Sequence, residues 1–293
     1  MQKHIPFTVI TIRVYNLLAV ILADGSVDFG ARYTITFTEQ PEVVQRLIRE
    51  FDSINGLRIV WKTDRLHNSL RARAYGKDLT NVIGRLVKTT RTRKFETYPK
   101  SPTSGFGYPR IKLPRPVFEN KDVASEFLRY YSTCDGGPEF QVYRRTSGPI
   151  QLSTGIKIGC FNPYLRKELK ALFKRIGLQA SEGTDGLEIS SLEGMEKFRQ
   201  FIGFLEESRV RRGKLFRGFL KNDIVDLMII CRRISKKRQW INRNFKQVEP
   251  FESFLKKCLR SIRDADRLRE LFLTIGLDPN PSPMDLAENS HVR

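Results

Sequence analysis

Two nine-residue stretches decide how this chain folds: LLAVILADG at Leu17–Gly25 and LRYYSTCDG at Leu128–Gly136. Each reads as a helix that stops at Asp-Gly. Glycine just beyond the last helical residue is a common helix stop, so one such end says little. Two of them in one chain, with Ala23–Ser26 answered by Cys134–Gly137 at an offset of 111, point to an internal repeat.

Further landmarks recur around these ends. TEQPE with Pro41 is answered by CFNPY with Pro163, an offset of 122, and VIGRL at Gly84 by FIGFL at Gly203, an offset of 119. Each proline suits the first turn of a helix, where its missing N–H costs nothing, and Gln40 or Asn162 then takes the cap position. Asn162 is the better cap of the two. The helices that follow carry one apolar stripe each: Val44, Leu47, Ile48 and Phe51, then Leu165, Leu169, Leu172, Phe173 and Ile176. They end at Gly56-Leu57 and Gly177-Leu178. The jump from 111 to about 120 implies an insertion early in the second copy, and RRTSGPIQ, with its turn-forming Ser-Gly-Pro, predicts a longer hairpin there.

Between the helices, residues alternate with the period of strands. Tyr33, Ile35 and Phe37 face a core while Arg32, Thr34, Thr36 and Thr38 face out. Leu57, Ile59 and Trp61 oppose Arg58 and Lys62, and Leu70, Ala72 and Ala74 oppose Ser69, Arg71 and Arg73. In the second copy Leu152, Thr154, Ile156 and Ile158 oppose Gln151, Ser153 and Lys157. Each copy therefore reads αββαββα, an α+β fold whose sheet has helices on one side and a polar, cationic face on the other. Rows of Arg, Lys, Ser, Thr and Gln donors suit base edges and phosphates. The expected nucleic-acid-binding set is Arg32, Thr34, Thr36, Arg58, Lys62, Arg71 and Arg73 with Gln141, Tyr143, Arg145, Gln151, Ser153, Lys157 and Lys214.

Composition agrees with a polyanionic partner. Lys and Arg number 52 against 32 Asp and Glu, a formal charge of +20, and nucleic acid is the first inference from it, an anionic membrane surface the second. No run of 18 or more apolar residues occurs, and MQKHIPFTVITIRVYN lacks a small-residue cleavage site, which predicts a soluble, unsecreted protein of the cytoplasm or an organelle matrix. Cys134, Cys160, Cys231 and Cys258 form no C-x-x-C pair, which speaks against structural zinc and for reduced thiols. Neither a Gly-rich phosphate loop nor a Ser-His-Asp or Cys-His set is visible.

With the two Asp-Gly ends and the repeat in hand, the sequence resembles the LAGLIDADG homing endonucleases in their single-chain, two-repeat form. The resemblance covers Tyr15 to Leu220 and includes YPRIKLPRPVFENKDVASEFLRYY, the approach to the second motif. It implies repeats at 1–100 and 122–225, a linker at 101–121, and two antiparallel sheets forming a saddle over DNA. The two motif helices then pack together at a pseudo-twofold axis. Residues 226–293 form a helical extension, Phe254, Leu255, Cys258, Leu259 and Ile262 sharing one face, with a Pro-rich, disordered tail.

The same resemblance explains why a buried-looking helix ends on a carboxylate. The last carbonyls of a helix carry partial negative charge, so an aspartate there costs stability and two side by side repel. Divalent cations reverse that sign. Asp24 and Asp135, beside Gly25 and Gly136, are the implied ligands of two or three Mg²⁺ ions, for which Mn²⁺ can substitute. The family further implies supporting roles for Gln40, for Lys88 and Lys94, and for Arg209 and Arg211. The activity implied is hydrolysis of double-stranded DNA at a long asymmetric site by a monomer of intron or intein origin. Its rival is a non-cleaving descendant, an intron-RNA splicing factor or a transcription regulator. Tyr130 stands where the family prefers a small residue, and either takes a different partner or pushes the two motif helices apart.

Overall fold

The computed structural model describes residues 7–28, 34–52, 58–64, 69–75, 77–87, 90, 107–146, 148–211, 213–234 and 237–276. The first repeat runs α1 (Phe7–Asp24), β1 (Gly25–Asp28), β2 (Thr34–Glu39), α2 (Pro41–Phe51), β3 (Arg58–Asp64), β4 (Ser69–Tyr75) and α3 (Lys77–Leu86). A short α4 (Arg115–Glu119) then leads into the second. That repeat is α5 (Lys121–Asp135), β5 (Gly136–Arg144), β6 (Ile150–Gly159), α6 (Pro163–Arg175), β7 (Ser181–Glu182), β8 (Gly186–Ile189) and α7 (Leu192–Phe201). Both copies are αββαββα, as their alternation predicts. The sheets have matching orders, β1-β2-β4-β3 and β5-β6-β8-β7.

Local chemistry accounts for the element ends. The Asn162 side chain, fully buried, accepts from the N–H groups of Tyr164 at 2.9 Å and Leu165 at 3.1 Å, while its amide donates to the Pro109 carbonyl at 2.9 Å. Gln40 at the matching place makes no side-chain cap, in keeping with its weaker capping chemistry. Asn120 caps α5 through the N–H of Asp122 at 2.8 Å. The fourth landmark pairs less closely than the others: Gly84 lies within α3, whereas Gly203 follows α7. Gly56 lies outside the described residues.

In the first sheet, Ile35 and Phe37 are buried with Ala72, and Arg71 and Arg73 are exposed, the faces predicted by alternation. The antiparallel register lines up Ser26, Thr36, Arg73 and Val60 across four strands, and Thr38, Arg71 and Lys62 two residues along. In β6, Thr154, Ile156 and Ile158 are buried and Ser153 is exposed. Strands β5 and β6 have 9 and 10 residues against 4 and 6 for β1 and β2, which is where the extra length of the second copy goes.

By packing, the chain divides into two compact units, Met1–Gly137 with Lys157–Ile189 and Phe201–Ser208, and Pro138–Ile156 with Ser190–Gln200 and Arg209–Arg293. The first holds both motif helices. The second holds α8 (Lys221–Arg233), α9 (Lys237–Asn244), α10 (Val248–Arg260) and α11 (Ala265–Leu273). The expected helical extension is thus helical over α8 to α11. Phe254, Leu255, Cys258 and Leu259 are buried as their spacing predicts. Among the described residues no helix is long and apolar enough to cross a membrane.

The step from helix to strand at each motif requires glycine. A Cβ on Gly25 would stand 2.6 Å from Ile21 Cα and 3.1 Å from the Thr36 carbonyl oxygen; one on Gly136 would stand 2.6 Å from the Ser132 carbonyl oxygen and 3.2 Å from that of Lys157. The two places match, each glycine meeting the residue four before it and the paired strand. At Gly137 a Cβ would meet nothing within 4 Å. Gly25→Ala and Gly136→Ala should each lower stability by about 1–3 kcal/mol in urea unfolding, with Gly137→Ala costing much less. Equal costs at Gly136 and Gly137 would contradict this account of the turn.

Candidate metal and nucleic-acid site

Helix α1 is buried on every side from Val14 to Leu22, and α5 is buried without a break from Tyr130 to Cys134. Helical stretches of that kind have no solvent face to show and lie inside a core. The two helices pack on each other more extensively than any other pair of helices in the described structure. Toward the C-terminal ends burial gives way, at Ala23 and Asp24 in α1 and at Asp135 in α5, and both aspartates are exposed.

Asp135 has a shaped seat. A Cβ on Gly159 would fall 2.8 Å from its Oδ1 and 3.0 Å from its Cγ, so the carboxylate occupies space that only glycine leaves. The Tyr131 hydroxyl donates to the Gly159 carbonyl at 3.1 Å. Burial first, then the negative charges possible at Cys160 and Asp135, raises the Tyr131 phenol well above its usual range. Burial likewise pushes the Cys160 thiol up to about 11. Phenol and thiol therefore stay protonated near neutrality, a dry and uncharged floor beside Asp135. In the first copy the matching strand position is Thr38, so the two carboxylates have different neighbours.

The Tyr130 question resolves as a change of partner. Its side chain is 4% exposed, its ring lies 6.2 Å from that of Phe51, and its hydroxyl donates to Glu50 Oε2 on α2. Glu50 also accepts from Arg46 Nε at 2.7 Å, and Arg46 Nη1 reaches Glu207 Oε2 at 3.1 Å. Burial, then the bond to Glu50, holds the Tyr130 hydroxyl far above its ordinary range. Burial works against the Arg46 charge, and its bonds to Glu50 and Glu207 more than offset that. The ring thus ties the second motif helix to α2 of the first repeat. Thr133, also polar and fully buried, donates to the Arg129 carbonyl at 2.8 Å and accepts from the Leu205 N–H at 2.9 Å.

The remaining expected residues fall into groups. Gln40 is buried, its N–H donating to Glu39 Oε1 at 3.3 Å. Arg32, Lys88 and Lys94 lie outside the described residues. On the first sheet Arg71 and Arg73 are exposed and Thr36 half-buried, with Thr34 and Arg58 both at register positions opposite Tyr75 and Lys62 opposite Arg71. Gln141, Tyr143 and Lys214 come together around one cavity of about 360 Å³ in the second unit, with Phe140 and Phe216 in its wall. Arg145 and Ser153 are exposed and Gln151 is half-buried. Lys157 pairs with Asp185 at 2.8 Å, and that bond first of all holds the Asp185 carboxyl below its usual range. Arg209 donates to the Gly218 carbonyl at 2.8 Å, and Arg211 is exposed; both belong to the second unit. Among the described residues no group of three or more His, Cys, Asp or Glu could hold a metal ion.

Sequence reasoning missed Gly159, Tyr131 and Glu207. Only the Arg46–Glu50 spacing on α2 was open to it, as an i, i+4 pair.

No protein-family model matches the chain, and no curated protein matches it. Among solved structures it is similar to I-DmoI in complex with DNA and Mn, at TM-score 0.40 and 17% identity over 66% of this chain and 97% of that one. The homing endonuclease I-WcaI bound to its DNA recognition sequence is similar at TM-score 0.38 and 15% identity, over 68% of this chain and 85% of the other. Full-length DUF199/WhiA from Thermatoga maritima is similar at TM-score 0.42 and 16% identity, over 98% and 92% of the two chains.

A double-mutant cycle of Tyr130→Phe and Glu50→Gln should return a coupling of about 1–2 kcal/mol, as expected of a largely buried hydrogen bond to a carboxylate. A coupling near zero would mean that the Tyr130 hydroxyl contributes nothing to holding α5 on α2.

Proposed function

We propose that this chain is a site-specific, divalent-metal-dependent DNA endonuclease of the homing type, with Asp24 and Asp135 as its metal ligands. One observation carries this reading: the two most extensively packed helices each surface on an aspartate followed by a glycine that opens a four-stranded sheet of the same strand order. A helix stop needs the glycine but not the acid. Twice over, the acid sits where the helix itself disfavours it.

The donors suit Mg²⁺, which takes hard oxygen ligands and keeps several waters, so that two carboxylates with phosphate oxygens suffice. A bound divalent ion supplies charge stabilisation at phosphate oxygens and acidifies water. The protein's own part is to hold both ends of the reaction in place. Asp135 is seated over Gly159 and a neutral Tyr131–Cys160 floor. Exposed Arg71 and Arg73, with Thr36 between strands, offer donors to phosphates and base edges, and Gln141, Tyr143 and Lys214 do so around their cavity. Lys88, Lys94, Arg209 and Arg211 are assigned to scissile phosphates, and Gln40 to the surroundings of Asp24. Two copies in one chain supply both acidic ends, so a monomer suffices, and unlike copies suit a long asymmetric duplex target.

A second reading, a nucleic-acid-binding protein that does not cut, is favoured by the lack, among the described residues, of any group of three or more His, Cys, Asp or Glu that could hold a metal ion. It covers DNA regulators and intron-RNA binders.

Incubation with a plasmid library of candidate sites, with and without Mg²⁺, separates the two: metal-dependent double-strand breaks support the first, binding without breaks the second. Asp24→Asn and Asp135→Asn should each cut cleavage by about 10²-fold or more, the scale of losing one electrostatic stabiliser of a transition state, while DNA binding persists. Binding and cutting lost in equal measure would remove these aspartates from the chemistry.

A further inference from the structure

The second unit contains a cationic surface of which only Arg145 belongs to the expected nucleic-acid-binding set. It is made by the turn between β5 and β6 and by α9 with the residues after it. Two hydrogen bonds join these parts: Asn242 Oδ1 accepts from the Ile150 N–H at 2.9 Å, and Arg144 Nη1 donates to the Lys246 carbonyl at 3.1 Å. Arg144 Nε also holds the turn itself, donating to the Gly148 carbonyl at 2.7 Å. The hairpin that is long in this repeat is therefore pinned near its tip by the helical extension.

The extension is itself anchored. Ile241 is 1% exposed, and the Phe245 ring lies 4.9 Å from Phe251 and 5.5 Å from Phe254. Phe254 in turn meets Phe272 edge-on at 5.8 Å. With Ile241 buried and Phe245 packed on the ring cluster, α9 and the turn after it leave Arg243, Asn244 and Lys246 exposed, and the hairpin adds exposed Arg144 and Arg145. Residues 143–150 and 237–247 together contain six Lys and Arg, and neither segment contains an Asp or Glu. Gathering like charges on a rigid support costs self-repulsion that a polyanion relieves.

Resting on the nucleic-acid reading above, we infer that the β5–β6 turn and α9 form an additional phosphate-binding surface for the backbone of double-stranded DNA, and that the helical extension exists to position it. The exposed groups are guanidinium, ammonium and amide donors, the chemistry of phosphate contact. Single-strand binders instead offer aromatic platforms for bases. Here Tyr143 and Phe245, the aromatics with described side chains in these segments, are partly buried, and Phe245 is packed into the ring cluster. Contacts of this kind carry affinity without sequence choice, so the surface holds duplex of any sequence.

The test measures binding of the full chain to a random-sequence duplex across a salt series. Each phosphate contact adds roughly 0.9 to the slope of log K against log salt, so the triple variant Arg145→Ala, Arg243→Ala, Lys246→Ala should lower the slope by about 2–3. Arg144 is left in place because it holds the turn. A control with the same charge change, Lys257→Ala, Arg260→Ala and Arg269→Ala on exposed positions of α10 and α11, should leave the slope as in wild type. An unchanged slope in the first variant, an equal drop in the control, or a change seen with RNA and not with duplex DNA overturns the inference alone. A wild-type chain with no salt-dependent affinity for duplex overturns the nuclease reading as well.

Discussion

Two fully buried helical stretches, Val14–Leu22 of α1 and Tyr130–Cys134 of α5, belong to helices that lean on each other inside the first unit, and the rest of that unit is arranged by what they require. With no solvent-facing side, each of these stretches must be covered by sheet and helix up to the last turn. Where it surfaces, the backbone has to leave the helix and enter a strand against a partner strand already in contact, and there is no room for a side chain at that step. Glycine follows from packing. The aspartate before it does not, and that surplus of unfavourable charge, present twice, is what points beyond structure to a cation.

The neighbourhood of the second aspartate shows how packing shapes the surroundings of a carboxylate. Gly159 leaves room for the carboxylate, Tyr131 holds the strand by its carbonyl, and burial keeps Tyr131 and Cys160 protonated. Tyr130, one residue earlier, turns to α2 and joins Glu50, Arg46 and Glu207 in a chain of bonds between the repeats. The bulky ring that a small-residue seam would exclude is thereby put to use as a tie. The copies are alike in topology and unlike in detail, with Thr38 where the second has Gly159.

What could be read from sequence was what is local. The Asn162 cap, the proline-led helices, the alternation of Phe37, Ala72 and Arg71, and the Asp-Gly ends depend on neighbours within a few residues, and the fold class followed from their repetition. The partner of Tyr130 lies 80 residues away in sequence and carries no periodic signal. Gly159 looked like any strand glycine until its distance to Asp135 was known. Helix α9 carries little apolar signal of its own; Ile241 is buried, and the Phe245 ring just after the helix joins a cluster supplied by later helices. Tertiary contacts of this sort are not written in spacing.

The central claim is that both helix ends serve one divalent-ion centre. It is tested most directly by loading the protein with Fe²⁺ in place of Mg²⁺, adding peroxide and ascorbate, and mapping where the polypeptide is cut by radicals born at the bound ion. The account predicts backbone cuts at both Asp24–Gly25 and Asp135–Gly136, suppressed together by excess Mg²⁺. Cuts at only one of these positions, or elsewhere in the chain, would contradict it.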